Sequence, residues 1–264
     1  MKLGISTSSL FLKANNDEAM ALFKEWELPV AEVFLTTFSE YDRDFGRLLH
    51  EINGQTEVHS VHVLNTNFEP QLYNRHPKVR ADAYRFLDLA MQAAEELHAK
   101  YYTFHGWARL KNTPVNMNYD KIGADTREIM ETCKRHGVTL SYENVHWAYY
   151  NAPGFFKEVQ AREPDLAATL DIKQARQSGV PYPAYLEEMR GALSTVHLSD
   201  VDEKGNICLP GRGKFDFYRL FSKLNEIGFS GAALIEVYPE SYETYDELLS
   251  SLDYLKETAL RAEK

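Results

Sequence analysis

A chain of 264 residues with 44% hydrophobic and 26% charged residues has the balance of a soluble globular protein, and is long enough to bury a core without disulfides. A net charge of −10 argues against a general nucleic-acid binder, which needs a basic face for phosphates, but leaves room for a local basic pocket. Cys133 and Cys208 are the only cysteines, so there is no disulfide framework and no cysteine-based zinc site. No stretch approaches the roughly 18 apolar residues of a membrane span. The opening MKLGISTSSLFLKANN lacks the long apolar core of a signal peptide. A cytoplasmic protein is expected.

In chain order, a first strand is expected near 2–7, followed by a helix near 17–26. Strand 31–36 and helix 42–52 come next, then strand 57–64 and helix 77–98. That helix carries the clearest apolar stripe: Val79, Ala83, Phe86, Leu87, Ala90, Ala94 and Leu97 recur at helical spacing, with Pro77 in the first turn. Strand 100–105 leads to helix 118–136, which Lys134, Arg135, His136 and Gly137 terminate. Strands 138–144, 166–172, 193–199 and 231–238 alternate with helices 153–162, 182–190, 215–227 and 243–262. Eight β–α pairs without a glycine-rich phosphate fingerprint after the first strand predict an α/β fold, a (β/α)8 TIM barrel in one domain over 1–264. A doubly wound sheet shares the alternation and is the alternative.

Polar residues stand alone in these apolar strands. They are His62 in SVHVLN, His105 in TFHGW, Glu143 in SYENV, Asp171 in ATLDIKQ, His197 in TVHLSD and Glu236 in ALIEVY. Each falls at or near the C-terminal end of strands three to eight, the face where barrel enzymes build their sites. Parity turns them toward the barrel axis: Ser141 and Thr169 share a side with Glu143 and Asp171, while Tyr142, Leu170, Ile172, Ile235 and Val237 point outward. Glu143, Asp171 and Glu236 brought together would repel one another unless compensated. One divalent metal ion resolves this. Three carboxylates and the His197 imidazole suit Mn2+, Mg2+, Co2+ or Zn2+ without selecting among them.

The stretches SYENV, LDIKQA, VHLSD, GRGKFDF and LIEVY, in this order, resemble the xylose isomerase-like TIM barrel superfamily. The branch most resembled is that of sugar phosphate isomerases and epimerases, with relatives among inosose dehydratases and family 2-like AP endonucleases of the endonuclease IV type. The region from EPQLYNRH to TFHG is also similar, and the resemblance covers essentially the whole chain. It implies a one-metal epimerase site at Glu143, Asp171, His197 and Glu236. It speaks against the three-zinc site of the endonuclease branch, since Gln174 stands where that branch has a histidine and DEKGNICLPGRG contains none.

The expected chemistry is proton transfer beside a carbonyl, through an enediolate stabilised by the metal. Glu143 and Glu236, three strands apart on the ring, are the expected acid/base pair. Reprotonation on the opposite face gives an epimerase; on the neighbouring carbon, an isomerase. Loss of a β-hydroxyl instead would make a dehydratase. A non-catalytic sugar-binding barrel is a further alternative. His62, His105, His146, Trp107 and Arg212 are expected to contact substrate, a small sugar or sugar phosphate. Arg212 lies between glycines in the loop after strand seven, Trp147 and Phe68 in loops on the same face, and the loop NTNFEPQLYNRH is a candidate lid. Homo-oligomerisation is left open by the sequence, and no membrane partner is expected.

Overall fold

Each barrel strand pairs in parallel with its neighbour in the chain, and the last closes the ring against the first through the register Ile5↔Ile235. The structure is a computed structural model and describes residues 1–64, 67–109 and 116–263. The strands are β1 (Lys2–Ser6), β2 (Val30–Leu35), β3 (Glu57–Val63), β4 (Tyr101–Phe104), β5 (Thr139–Glu143), β6 (Ala167–Asp171) and β7 (Leu193–Leu198), then a small antiparallel pair, β8 (Asp200–Val201) and β9 (Ile207–Cys208), and finally β10 (Ala232–Ile235), the eighth barrel strand. The helices are α1 (Asn16–Glu25), α2 (Arg43–Ile52), α3 (Pro77–Glu96), α4 (Tyr119–Arg135), α5 (Phe155–Gln160), α6 (Ile172–Gln177), α7 (Tyr182–Met189), α8 (Phe217–Glu226) and α9 (Tyr245–Ala262). The barrel expected from the alternation is the fold observed. No described helix is long and apolar enough to cross a membrane.

Local chemistry sets the helix ends. Asp42 and Asn118 accept from the backbone N–H groups of Phe45 and Lys121, capping α2 and α4. Pro77 opens α3, and Gly137 at φ +74 follows the end of α4. Helix α6 and the β8–β9 pair were not expected. The short helix α6 holds too few residues for a periodic apolar signal, and the β8–β9 pair is two residues per strand.

The two faces of the barrel strands differ in chemistry. Leu140, Tyr142, Leu170, Val196, Leu198 and Ile235 belong to the apolar core. The interior is lined with small hydroxyls and charges: Ser141 Oγ lies 2.7 Å from both Thr169 Oγ1 and Ser194 Oγ. His59 Nε2, from β3, reaches across the ring to the Ser194 carbonyl at 3.0 Å and Thr195 Oγ1 at 3.1 Å on β7. Buried polar groups are tolerated because they satisfy one another.

Two glycines make this geometry possible. A Cβ on Gly4 would lie 1.9 Å from the Val30 carbonyl oxygen, which belongs to the neighbouring strand and cannot give way. Gly4→Ala is expected to cost about 3 kcal/mol of stability, read as a lower urea midpoint; an unchanged midpoint would contradict the close approach of β1 and β2. Gly106 adopts φ +80 directly after His105, and a Cβ there would meet Tyr142 Oη at 2.0 Å. The chain can therefore turn sharply after delivering His105.

Candidate metal and active site

The strand ends bring Glu143, Asp171, His197 and Glu236 together, with one ligand atom from each lying within 4.8 Å of the others. All four are buried. They come from β5, β6, β7 and the residue after β10, adjacent strands of the ring. His197 Nδ1 is central, at 3.2 Å from Glu143 Oε1, 3.1 Å from Glu236 Oε2 and 4.0 Å from Asp171 Oδ2.

The other nitrogen of His197 reaches a residue the sequence reading did not single out. Glu32, on β2, is fully buried, and His197 Nε2 lies 3.1 Å from its Oε1. Glu32 also accepts from Ser6 Oγ at 2.9 Å, Ser60 Oγ at 2.7 Å and Thr103 Oγ1 at 2.8 Å. With Nε2–H donated to Glu32, the Nδ1 side of the imidazole is presented to the three carboxylates. This is the carboxylate–histidine arrangement that orients metal-ligating imidazoles. Glu32 carries the same signal as Glu143, a lone carboxylate in an apolar strand.

Two carboxylate oxygens of the cluster, Glu143 Oε2 and Asp171 Oδ2, are buried without any hydrogen-bond partner. Asp171 Oδ1 is used, accepting from the Gln174 backbone N–H at 2.9 Å to cap α6. A buried carboxylate oxygen without a hydrogen bond is expensive. The donor set of three carboxylates, one oriented imidazole and two orphaned oxygens fits a hard or borderline divalent ion.

His62 and His105 converge on Glu143 from the other side. Both Nε2 atoms lie 3.8 Å from Glu143 Oε2, and the rings stack at 4.3 Å between centroids. His62 Nδ1 donates to the Thr103 carbonyl at 2.7 Å. His105 Nδ1 lies 2.8 Å from Glu69 Oε2, a buried carboxylate in the loop after β3 that also accepts from Tyr102 Oη at 2.6 Å. These two imidazoles and Glu143 form a second group close enough to hold an ion. In the sequence Glu69 is one residue of the candidate lid loop, of which Asn65 and Thr66 lie outside the described residues.

The other expected contact residues are held elsewhere. Arg212 pairs with Glu247 on α9 at 2.9 Å. Its Gly-Arg-Gly loop is pinned rather than flexible: Asp200 accepts from the N–H groups of Gly211, Gly213 and Phe215 at 3.0, 3.0 and 2.9 Å. Trp107 is sandwiched between Tyr73 and Tyr149, at 5.5 and 4.5 Å. His146 Nδ1 lies 2.6 Å from Gln174 Oε1. Among the described residues, no hydrogen bond or ion pair joins Arg212, Trp107 or His146 to the four clustered residues. Phe68 is buried against Tyr41 and Phe86 and belongs to the core. Trp147 does approach the site, at 5.3 Å from the His105 ring.

The electrostatics show a surplus of negative charge. Burial, set against the pull of Lys173 and reinforced by Glu236 and Glu143, pushes the Asp171 carboxyl up to about 8. Burial would lower His197, but the Glu236 and Glu32 carboxylates hold it well above its ordinary value. His62 is kept below its ordinary value by burial and by His105, whereas Glu69 outweighs burial at His105 and raises it. Ligands must be deprotonated to bind a metal. Ion uptake near neutral pH should therefore expel protons from Asp171 and His197, and Mn2+ affinity should climb as pH rises through about 8. Calorimetric titration in buffers of different ionisation enthalpy checks this, since a buffer-independent heat would mean that no proton leaves.

The family model described as xylose isomerase-like TIM barrel matches residues 18–258. An uncharacterized protein of Methanocaldococcus jannaschii is 22% identical over 261 residues, covering 89% of this chain and 83% of its own. Among solved structures, D-psicose 3-epimerase with D-tagatose from Clostridium cellulolyticum H10 superposes with a TM-score of 0.79 at 14% identity, covering 98% of this chain and 99% of the other. The IolI protein with a binding zinc atom also gives 0.79, at 18% identity, covering 99% and 98%. At these identities the superpositions speak for the fold, while the family model spans most of the sequence. The chain belongs to the xylose isomerase-like TIM barrel family.

Proposed function

We infer that this protein is a divalent-metal-dependent isomerase or epimerase of a sugar or sugar phosphate, acting by proton transfer beside a carbonyl. The observation that carries the reading is the buried cluster of Glu143, Asp171, His197 and Glu236 with two orphaned oxygens at the C-terminal face of the barrel. Its similarity in fold to a ketose 3-epimerase and to a zinc-holding barrel supports the same reading.

An ion bound by these four residues would supply Lewis-acid polarisation of a substrate carbonyl. The remaining chemistry falls to the chain. Glu143 and Glu236, on strands three apart in the ring, are the groups proposed to take and return the proton. His62, with Nδ1–H donated to a backbone carbonyl, offers Nε2 as an acceptor for a substrate hydroxyl. His105, its charged form favoured by Glu69, offers Nε2–H as a donor. The stacked pair could thus hold a vicinal diol beside Glu143. Trp147 lies next to His105, where its face could cover a sugar ring.

Metal analysis of protein purified without chelator, followed by incubation with ketoses and their phosphates in D2O, tests this reading. The expected product has the mass of the substrate plus deuterium at one carbon. Failure to take up any divalent ion, with wild type indistinguishable from Glu143→Gln and Asp171→Asn, would sink the proposal. A product lighter by one water would mark a lyase.

A further inference from the structure

Lys173 is the one residue of the cluster that no part of the expected chemistry uses. It is the second residue of α6, and its side chain is 6% exposed. Its Nζ lies 3.3 Å from Glu236 Oε2 and 3.6 Å from Asp171 Oδ2. Its third neighbour is the Tyr238 ring, whose centroid is 5.0 Å away. A buried ammonium requires anionic or hydrogen-bonding partners. Both partners here are groups that the four-residue reading gives to a divalent ion, and Asp171 Oδ2 is one of the two orphaned oxygens.

We propose that Lys173 is an internal counter-cation of this site, competing with the divalent ion for Asp171 and Glu236 so that the ion is held reversibly. The inference rests on the metal-site reading above. One ammonium cannot keep both oxygens while an ion of twice its charge draws on them, because like charges at this range repel strongly in a buried setting. Ion uptake is then an exchange, in which the ammonium yields the carboxylates as the ion takes them. The structure provides somewhere for it to go. Tyr238 is 39% exposed, and its ring offers an aromatic face toward which the ammonium can shift. The lysine thereby neutralises part of the carboxylate cluster whenever the ion leaves. Such a site suits a weakly held, exchanging ion better than a permanently bound one.

Mn2+ titration of the full chain, followed by calorimetry or by the paramagnetic signal of the free ion, tests the competition. Lys173→Met should bind Mn2+ at least about 10-fold more tightly than wild type, whereas Lys173→Arg, which keeps the charge, should not. A folded Lys173→Met protein with unchanged or weaker Mn2+ affinity overturns the proposal. Should Lys173→Met not fold, wild-type protein supplies the test by amine labelling read by peptide mass. Mn2+ should raise labelling of Lys173 several-fold relative to exposed Lys204, and an unchanged ratio overturns the proposal. Absence of Mn2+ binding in both wild type and Lys173→Met is the failure of the metal-site reading and removes this inference with it. Binding by Lys173→Met alone would show that wild type takes up no ion, which overturns the reversible holding proposed here.

Discussion

Glu143→Gln is expected to lower turnover of an accepted ketose by about 10^3-fold or more, with the fold intact. The size follows from two losses at one residue. A positioned general acid or base is worth about 10^2–10^4 in rate. The same carboxylate is one of four groups converging within 4.8 Å, so its charge also contributes to holding the ion. Gln keeps the shape and the contact with His197 Nδ1 but lacks the negative charge. Stability should fall somewhat, because burial would raise the Glu143 carboxyl but its contact with His197 holds it below its ordinary value, so the charge favours the fold. The checks are kcat, ion stoichiometry and melting temperature measured on one preparation. Retained turnover above about a tenth of wild type would exclude Glu143 from the proton transfer.

Glu32→Leu is expected to damage both fold and site. Glu32 is fully buried and accepts from Ser6, Ser60 and Thr103 while facing His197 Nε2. Removing one partner of a buried charge pair costs about 3–5 kcal/mol, because the partner groups are left uncompensated. For a chain of this size that is a fall of roughly 10 °C in melting temperature. Ion affinity should drop by about 10- to 100-fold, the usual effect of losing the carboxylate behind a ligating histidine. Glu32→Gln separates the two effects, since it preserves volume and an acceptor oxygen.

The acid limb of stability should change with the same residue. Burial would raise the Glu32 carboxyl, yet the charges of His197 and His62 bring it from 4.5 down to about 2. Such a group adds stability above its ordinary value, and that contribution is lost as pH falls from about 4.5 toward 2. Glu32→Gln should therefore flatten the loss of stability on acidification. Urea midpoints measured from about pH 6 to pH 3 would show it.

Much of this site was legible because barrel geometry repeats. Strand periodicity of two placed Glu143 and Asp171 on the same side as Ser141 and Thr169, and the observed Ser141–Thr169 contact is an interior one. His62 and His105 were legible as rim residues, although only the structure shows that they stack and share Glu143. The surroundings of Arg212 were not legible. Between glycines in a rim loop it is expected to contact substrate, and only the structure shows that Asp200 pins that loop and that Glu247 pairs with the guanidinium. Both partners are distant enough in sequence that no local pattern announces them.

The sequence by itself determined the architecture and the identity of the four converging residues. Alternating apolar runs admit few closed arrangements, and an isolated charge at the end of a buried strand needs a compensating partner. Closure of the barrel decided the rest. It set Glu32 behind His197 across the ring, brought Glu69 from a loop onto His105, and laid Lys173 against Asp171 and Glu236. These pairings depend on strand register and on loop paths fixed by packing, over separations of up to 165 residues between Glu32 and His197. Residue type and spacing set what each side chain can do; only the folded chain sets which charge it faces.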